Sequence, residues 1–211
     1  MQQLLPLPLP PHDVAMEYYI VTDANRLAYK SIMHHHWELP YILLFGDASS
    51  GKSTLARHVA LQRGGTLLNT DLTDSDVAAI RSGLYIIDNI HHCDAEALFH
   101  TLNMIKAHNA SLLMTSTGRI DSLPFSLPDT ISRLRTAVQC YIDSPDDEMM
   151  MLLLHKQLSI RQLHYDDKLL QYVLPRLERS YHAIADFVHK IDILSLRNKQ
   201  ALSISLARAV L

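Results

Sequence analysis

The segment from Gly46 to Ser53 reads Gly-Asp-Ala-Ser-Ser-Gly-Lys-Ser and fits the pattern G-x-x-x-x-G-K-[ST] at every fixed position. An apolar run over 41–45 precedes it, and helical apolar spacing continues from Ser53 to Ala60. The motif between a strand and a helix predicts a phosphate-binding loop. In that geometry Lys52 reaches the β- and γ-phosphates, and the Ser53 hydroxyl binds Mg²⁺. A flexible Gly/Ser turn is the alternative, but it would not explain the strand pattern before the loop or the helical pattern after it.

A second motif is the apolar run 84–87 followed by Asp88. It matches the Walker-B pattern, in which a strand delivers a carboxylate beside the Mg²⁺ ion. A core strand that happens to end in aspartate is the alternative. The next residue, Asn89, stands where many ATPases of this architecture carry a second acid, and an amide cannot act as a general base near neutral pH. We therefore predict Mg²⁺ ligands at Ser53 and Asp88, together with slow intrinsic ATP hydrolysis.

The alternation of apolar runs with helical patterns predicts an α/β fold. Five strands would form a parallel sheet with helices on both faces. Thr22 or Asp23 is expected to cap a helix that runs towards Met33, and further helices are expected to begin at Ser53 and at His91. The pattern changes at 144–145, where Ser144 suits an N-cap and Pro145 the first helical position.

From that point the sequence is entirely helical in pattern, with helices expected at roughly 146–163, 166–175, 180–196 and 203–210. We expect an extended tail over 1–13, a nucleotide-binding domain over 14–143 and a small helical lid domain over 144–211.

Composition narrows the class of protein. The formal charge of −3 argues against a chain that grips DNA on its own, so contact with DNA should be indirect. Cys93 and Cys140 have no metal or redox spacing, which favours reduced cysteines in a cytoplasmic protein. No apolar run approaches the length of a membrane span. The histidines at 34–36 and the run His91-His92-Cys93 invite a metal interpretation. For 34–36 adjacent side chains diverge, and a solvated helix end is the alternative we favour. The residues of the second run are adjacent and no other ligand cluster supports them.

The first thirteen residues hold four prolines within an apolar run, which favours an extended, polyproline-like tail. Within it, Gln2-x-x-Leu5-Pro6-Leu7 is similar to the Q-x-x-L-P-L peptides that bind the bacterial sliding clamp. A disordered apolar end is the alternative.

These motifs in this order resemble the DnaA/Hda branch of the AAA+ family, and the resemblance covers nearly the whole chain. Residues 18–28 are similar to the base-binding box of that family. Residues 127–134, Leu-Pro-Asp-Thr-Ile-Ser-Arg-Leu, are similar to the L-P-D-x-x-S-R-[LF] box that bears an arginine finger. The resemblance implies that Arg133 acts in trans on the nucleotide of a neighbouring molecule. It implies the following nucleotide-binding residues: Tyr18, Asn25, Gly46, Gly51, Lys52, Ser53, Thr54 and Asp88.

The sequence also departs from the family pattern. Thr117 stands where the family usually has aspartate after the sensor-1 strand, and Thr115 and Ser116 are the sensor candidates on that strand. The sensor-2 position of the family corresponds to either Arg179 or His182, and the sequence does not decide between them. The resident nucleotide, ADP or ATP, is open for the same reason.

The resemblance implies a clamp-tethered regulator that promotes hydrolysis of DnaA-bound ATP and so restrains replication initiation. Its partners would be DnaA and the sliding clamp, the β subunit of DNA polymerase III. The sequence ends after the lid helices, where DnaA continues into a helix-turn-helix domain, and we expect this to separate regulator from initiator. An autonomous ATPase or loader-like motor and a nucleotide-stabilised adaptor are the alternatives, and self-association into a homo-oligomer is also open.

Overall fold

The structure, a computed structural model, describes residues 19–211. The described chain divides into two compact units, residues 23–144 and residues 145–211 with 19–22. The first unit is the α/β part and the second is wholly helical between its loops.

The first unit alternates strands and helices. Its strands are β1 (Tyr41–Phe45), β2 (Thr66–Leu68), β3 (Leu84–Ile87), β4 (Ser111–Ser116) and β5 (Val138–Tyr141). Its helices are α1 (Arg26–Met33), α2 (Lys52–Arg63), α3 (Asp74–Ala78), α4 (Ala95–Ala107) and α5 (Pro128–Arg135). Single 3₁₀ turns lie at Ile90–His92 and Ile120–Ser122.

All strand pairs in the sheet are parallel, and the strand order is β2-β3-β4-β1-β5. The predicted five-stranded parallel fold is therefore confirmed. Every residue of β1 is buried, as expected for a central strand covered on both faces. The hydroxyl of Tyr41, the first β1 residue, donates to the Leu102 carbonyl oxygen of α4 at 2.6 Å and so ties this helix to the sheet.

The predicted cap of α1, Thr22 or Asp23, was wrong. The helix begins at Arg26 with Asn25 at the N-cap position. The Asp23 carboxylate pairs with the Arg26 guanidinium at 3.0 Å instead of capping backbone N–H groups.

The predicted start of α4 at His91 was also wrong. Residue Asn89 has a positive φ of 65°, which ends the strand geometry and allows only a single 3₁₀ turn before the helix. The Asp94 carboxylate then accepts the N–H groups of Glu96 and Ala97 and caps α4. The helix therefore begins after Asp94, because its carboxylate can accept two backbone N–H groups that the helix leaves without a partner.

The second unit contains α6 (Asp147–Ile160), α7 (Asp167–Val173), α8 (Tyr181–Asn198) and α9 (Ile204–Arg208), with a 3₁₀ turn at Leu174–Arg176. Its four α-helices agree with the predicted spans to within a few residues at their ends. The predicted cap was wrong: Asp146, not Ser144, is the N-cap of α6, and its carboxylate accepts the Met149 N–H at 2.6 Å. Leucine, isoleucine and valine side chains from all four helices form one buried cluster in this unit.

Both cysteines are buried and free of disulfides. Among residues 19–211, no group of three or more histidine, cysteine or acidic side chains is placed to share a metal ion. No helix in the same range combines the length and apolar character needed to span a bilayer.

Candidate nucleotide-binding site

The phosphate-loop motif lies where β1 ends and α2 begins. Gly51 has a φ of 90° and precedes the first helical residue, Lys52. A Cβ atom at Gly46 would lie 2.7 Å from the Ser50 hydroxyl and 3.1 Å from the Ile142 side chain. The two fixed glycines are therefore required by backbone conformation and by close approach, respectively.

The ammonium group of Lys52 lies inside the loop. Its Nζ donates to the carbonyl oxygens of Gly46 at 2.8 Å and Asp47 at 2.7 Å, and only 5% of the residue is exposed. Burial lowers the pKa of Lys52, while the negative charges of Asp88 and Asp47 oppose that shift. A cation is thus held within the loop, where an anion bound by the loop would contact it.

Asp88 is held by a hydrogen-bonded network between β3 and β4. The Thr115 hydroxyl donates to Asp88 Oδ1 at 2.5 Å and accepts the Asn89 N–H at 2.9 Å. Thr115 is fully buried. This hydroxyl orients the carboxylate, which in the nucleotide interpretation is a Mg²⁺ ligand together with Ser53.

Replacing Thr115 with valine should lower the free energy of unfolding by about 1–3 kcal/mol, because two polar partners inside the protein lose their hydrogen bond. Thr101→Val is the matched control: Thr101 is equally buried, but its hydroxyl donates to a helical carbonyl, that of Ala97, which keeps its backbone partner. Denaturant unfolding of the two variants measures the difference. Equal losses in the free energy of unfolding would show that the hydrogen bonds of Thr115 to Asp88 and Asn89 contribute no more than the hydroxyl of Thr101.

A cavity of about 380 Å³ opens over the loop. One wall is the loop itself, residues 48–54, and the other is formed by Asn89, His91 and Thr117. Within the described chain, the buried atoms Ser50 Oγ, Ser116 Oγ and His91 Nδ1 have no hydrogen-bond partner. Ser50 and His91 line the cavity. A glycine cradle, a buried lysine and polar atoms without partners fit the phosphates of a nucleotide.

The four candidate sensor residues lie in different environments. Thr115 and Ser116 are fully buried, whereas Thr117 lines the cavity at the end of β4. Arg179 belongs to the helical unit, where its guanidinium pairs with the Asp147 carboxylate at 2.5 Å. His182 lies in the first turn of α8. Their roles as sensors stay predictions.

The other residues predicted to bind nucleotide or the clamp are found in three kinds of position. Thr54 lines the cavity together with Gly51, Lys52 and Ser53. Asn25 is buried ahead of α1. The remaining predicted residues lie outside the described range: Gln2, Leu5, Pro6, Leu7 and Tyr18. His91 lines the cavity although the sequence pattern had indicated no role for it beyond a disfavoured metal site; its position three residues after Asp88 is the signal that could have found it.

Arg133 lies on α5, away from the phosphate loop. Arg133 belongs to the last turn of α5. Burial raises the pKa of Tyr41, and the positive charge of Arg133 opposes that rise. Tyr41 begins β1, whereas the loop follows Phe45 at its other end, about 13 Å along the strand. Within residues 19–211, no carboxylate lies within salt-bridge distance of Arg133. The intradomain ion pair that would give Arg133 a purely structural role is thus not found in this range.

Solved structures of known proteins share this fold. The structure superimposes on domain III of the replication initiation protein DnaA from Thermotoga maritima with a TM-score of 0.78 and 15% sequence identity, over 97% of this chain and 98% of that one. AMPPCP-bound DnaA from Aquifex aeolicus gives a TM-score of 0.65 at 16% identity, over 85% of this chain and 65% of that one. The chain therefore has the AAA+ fold of DnaA domain III.

Sequence relatives agree with the fold. An uncharacterized protein of Haemophilus influenzae is 26% identical over 231 aligned positions, which cover 100% of this chain and 99% of the relative. DnaA, the chromosomal replication initiator protein, from Lactobacillus delbrueckii subsp. bulgaricus is 28% identical over 120 positions, which cover 55% of this chain and 26% of that protein. No protein-family model matches the chain. DnaA proteins are thus among its relatives, and it spans about a quarter of the length of the one compared here.

Proposed function

We propose that this protein binds ADP or ATP with Mg²⁺ at the loop 46–53 and regulates the initiation of DNA replication. In this proposal it promotes hydrolysis of ATP bound to a DnaA molecule, as does Hda, the short DnaA homologue that its motifs resemble. Support comes from the DnaA domain III fold, from DnaA relatives named as replication initiators, and from a DnaA structure of the same fold that carries AMPPCP.

The observation that carries this proposal is the position of Arg133. Arg133 is half-buried in the last turn of α5, has no carboxylate partner in the described range, and is not among the residues that line the cavity over the protein's own phosphate loop. A permanent planar cation in such a place suits a phosphate group on another molecule. Arginine fingers supplied in trans raise the rate of phosphoryl transfer by roughly 10³–10⁵.

The protein's own site favours binding over turnover. Asn89 follows Asp88 and lines the cavity, so an amide occupies the wall where a general base would act. Lys52 and the loop can still hold phosphates without such a base. This argues against an autonomous ATPase or loader-like motor, because a motor must hydrolyse its own nucleotide repeatedly.

The proposed tether is the tail, residues 1–13. It lies outside the residues that the structure describes, so this part of the proposal rests on its sequence. Gln2 and the two leucines of Gln2-x-x-Leu5-Pro6-Leu7 would enter a groove of the sliding clamp. Burial of two leucines is worth roughly 3–6 kcal/mol before the cost of ordering the peptide, which suits a micromolar contact. In this proposal DNA is reached through the clamp and DnaA.

The test is hydrolysis of DnaA-bound ATP in the presence of DNA-loaded clamp, with and without this protein. Wild type should accelerate hydrolysis, and the double variant Gln2→Ala/Leu5→Ala should lose both clamp binding and acceleration. The matched control is Gln3→Ala/Leu4→Ala, which removes the same residue types outside the motif. If both double variants bind the clamp as wild type does, the tether is wrong. If wild type does not accelerate hydrolysis, the regulatory function is wrong.

A further inference from the structure

His91 lies on the cavity wall that faces the phosphate loop. It belongs to the 3₁₀ turn Ile90–His92, three residues after Asp88, and lines the cavity together with Asn89 and Thr117. The turn is firmly placed: Ile90 is fully buried, and its carbonyl oxygen accepts the Cys93 N–H at 2.9 Å. The backbone therefore presents this ring to the cavity at a defined position.

The His91 ring itself has no structural hydrogen bond in the described part of the chain. Its Nδ1 atom is buried without a partner. The neighbouring ring of His92 lies with its centroid 4.1 Å away, and His92 is exposed rather than part of the cavity. A histidine that serves only packing normally satisfies its ring nitrogens inside the protein. His91 instead keeps its hydrogen-bonding capacity beside a site built for phosphate.

Lys52 and His91 line the same cavity from opposite walls. The Lys52 ammonium is close enough to lower the pKa of His91, after the larger effect of burial and that of His92, while Asp88 opposes these shifts. Lys52 is the residue that reaches the β- and γ-phosphates in phosphate-loop sites. A ring on the opposite wall of that cavity therefore faces the phosphate groups that Lys52 would hold.

We infer that His91 donates an imidazole N–H hydrogen bond to the γ-phosphate of a bound nucleoside triphosphate and so makes the site distinguish ATP from ADP. A neutral imidazole has one N–H donor, so the contact needs no change of protonation. A diphosphate ends one phosphate group earlier and leaves His91 without this partner. The inference rests on the proposed nucleotide binding and adds a residue that reads the third phosphate.

The test measures the affinities of the full-length chain for MgATP and MgADP by calorimetry. His91→Ala should weaken ATP binding about tenfold or more and leave ADP binding within about twofold, because a hydrogen bond to a charged group is lost only with the triphosphate. His91→Asn, which keeps an N–H donor near the ring position, should restore part of the loss. His92→Ala is the matched control and should change neither affinity.

Two outcomes overturn this inference. Equal losses of ATP and ADP affinity in His91→Ala, with unchanged circular dichroism, would mean that His91 only shapes the loop. Unchanged ATP affinity in His91→Ala would mean that the ring does not reach the γ-phosphate. Either result leaves stimulation of DnaA by Arg133 untouched, so failure here is distinguishable from failure of the proposed function. Absence of binding by the wild type would overturn both the nucleotide site and this contact.

Discussion

Arg133→Ala is expected to slow the stimulated hydrolysis of DnaA-bound ATP by about 10³-fold or more, the usual worth of an arginine finger. The protein's own nucleotide affinity should not change, because Arg133 lies on α5 and is not among the residues that line the cavity over the loop. Single-turnover hydrolysis on DnaA measures the first effect, and calorimetry on the isolated variant measures the second.

Two further variants sharpen this prediction. Arg133→Lys should restore little, since an ammonium lacks the planar fork of the guanidinium. Arg135→Ala is the matched control on the same helix: the Arg135 guanidinium is exposed and pairs with Asp121 at 3.1 Å, and its loss should leave stimulation intact. If Arg133→Ala weakens the protein's own nucleotide binding and leaves stimulation unchanged, the finger assignment is wrong and an adaptor function gains support.

Lys52→Ala should weaken the binding of both ADP and ATP by at least about 10²-fold, because the ammonium would supply more than one charge-assisted hydrogen bond to phosphate. The variant also loses the contacts that Lys52 makes to the carbonyl oxygens of Gly46 and Asp47 within the loop. Equilibrium titration with each nucleotide measures the loss.

The control for Lys52 is Lys106→Ala. Lys106 is exposed in the last turn of α4 and is not a cavity residue, so its loss should leave both affinities unchanged. Undiminished binding by Lys52→Ala would show that the cavity over the loop is not the nucleotide site.

Much of the fold follows from local sequence patterns. The apolar run 41–45 and the helical spacing after Lys52 predicted β1 and α2, because a buried central strand and an amphipathic helix leave clear periodicities. Helix starts were less predictable. Asp94 and Asp146 displaced the expected starts at His91 and Ser144 because several capping residues stood close together and only the folded backbone selects among them.

The site was predictable where its residues are adjacent in sequence and not where the sheet brings them together. The loop around Lys52 is one continuous motif. The hydrogen bond from Thr115 to Asp88 joins residues 27 positions apart, and it depends on β3 and β4 being neighbours. The facing wall of His91 and Thr117 has the same origin, since these residues follow two strands that pair only in the folded sheet.

We propose that this protein binds one nucleotide and acts on another. The direct measurement loads DnaA with γ-labelled ATP, loads this protein with unlabelled ADP, and follows release of labelled phosphate on DNA-bound clamp. We expect rapid release with wild type, slow release with Arg133→Ala, and retention of ADP by both. Release that is no faster with wild type than without it, or equally fast with Arg133→Ala, would contradict this account.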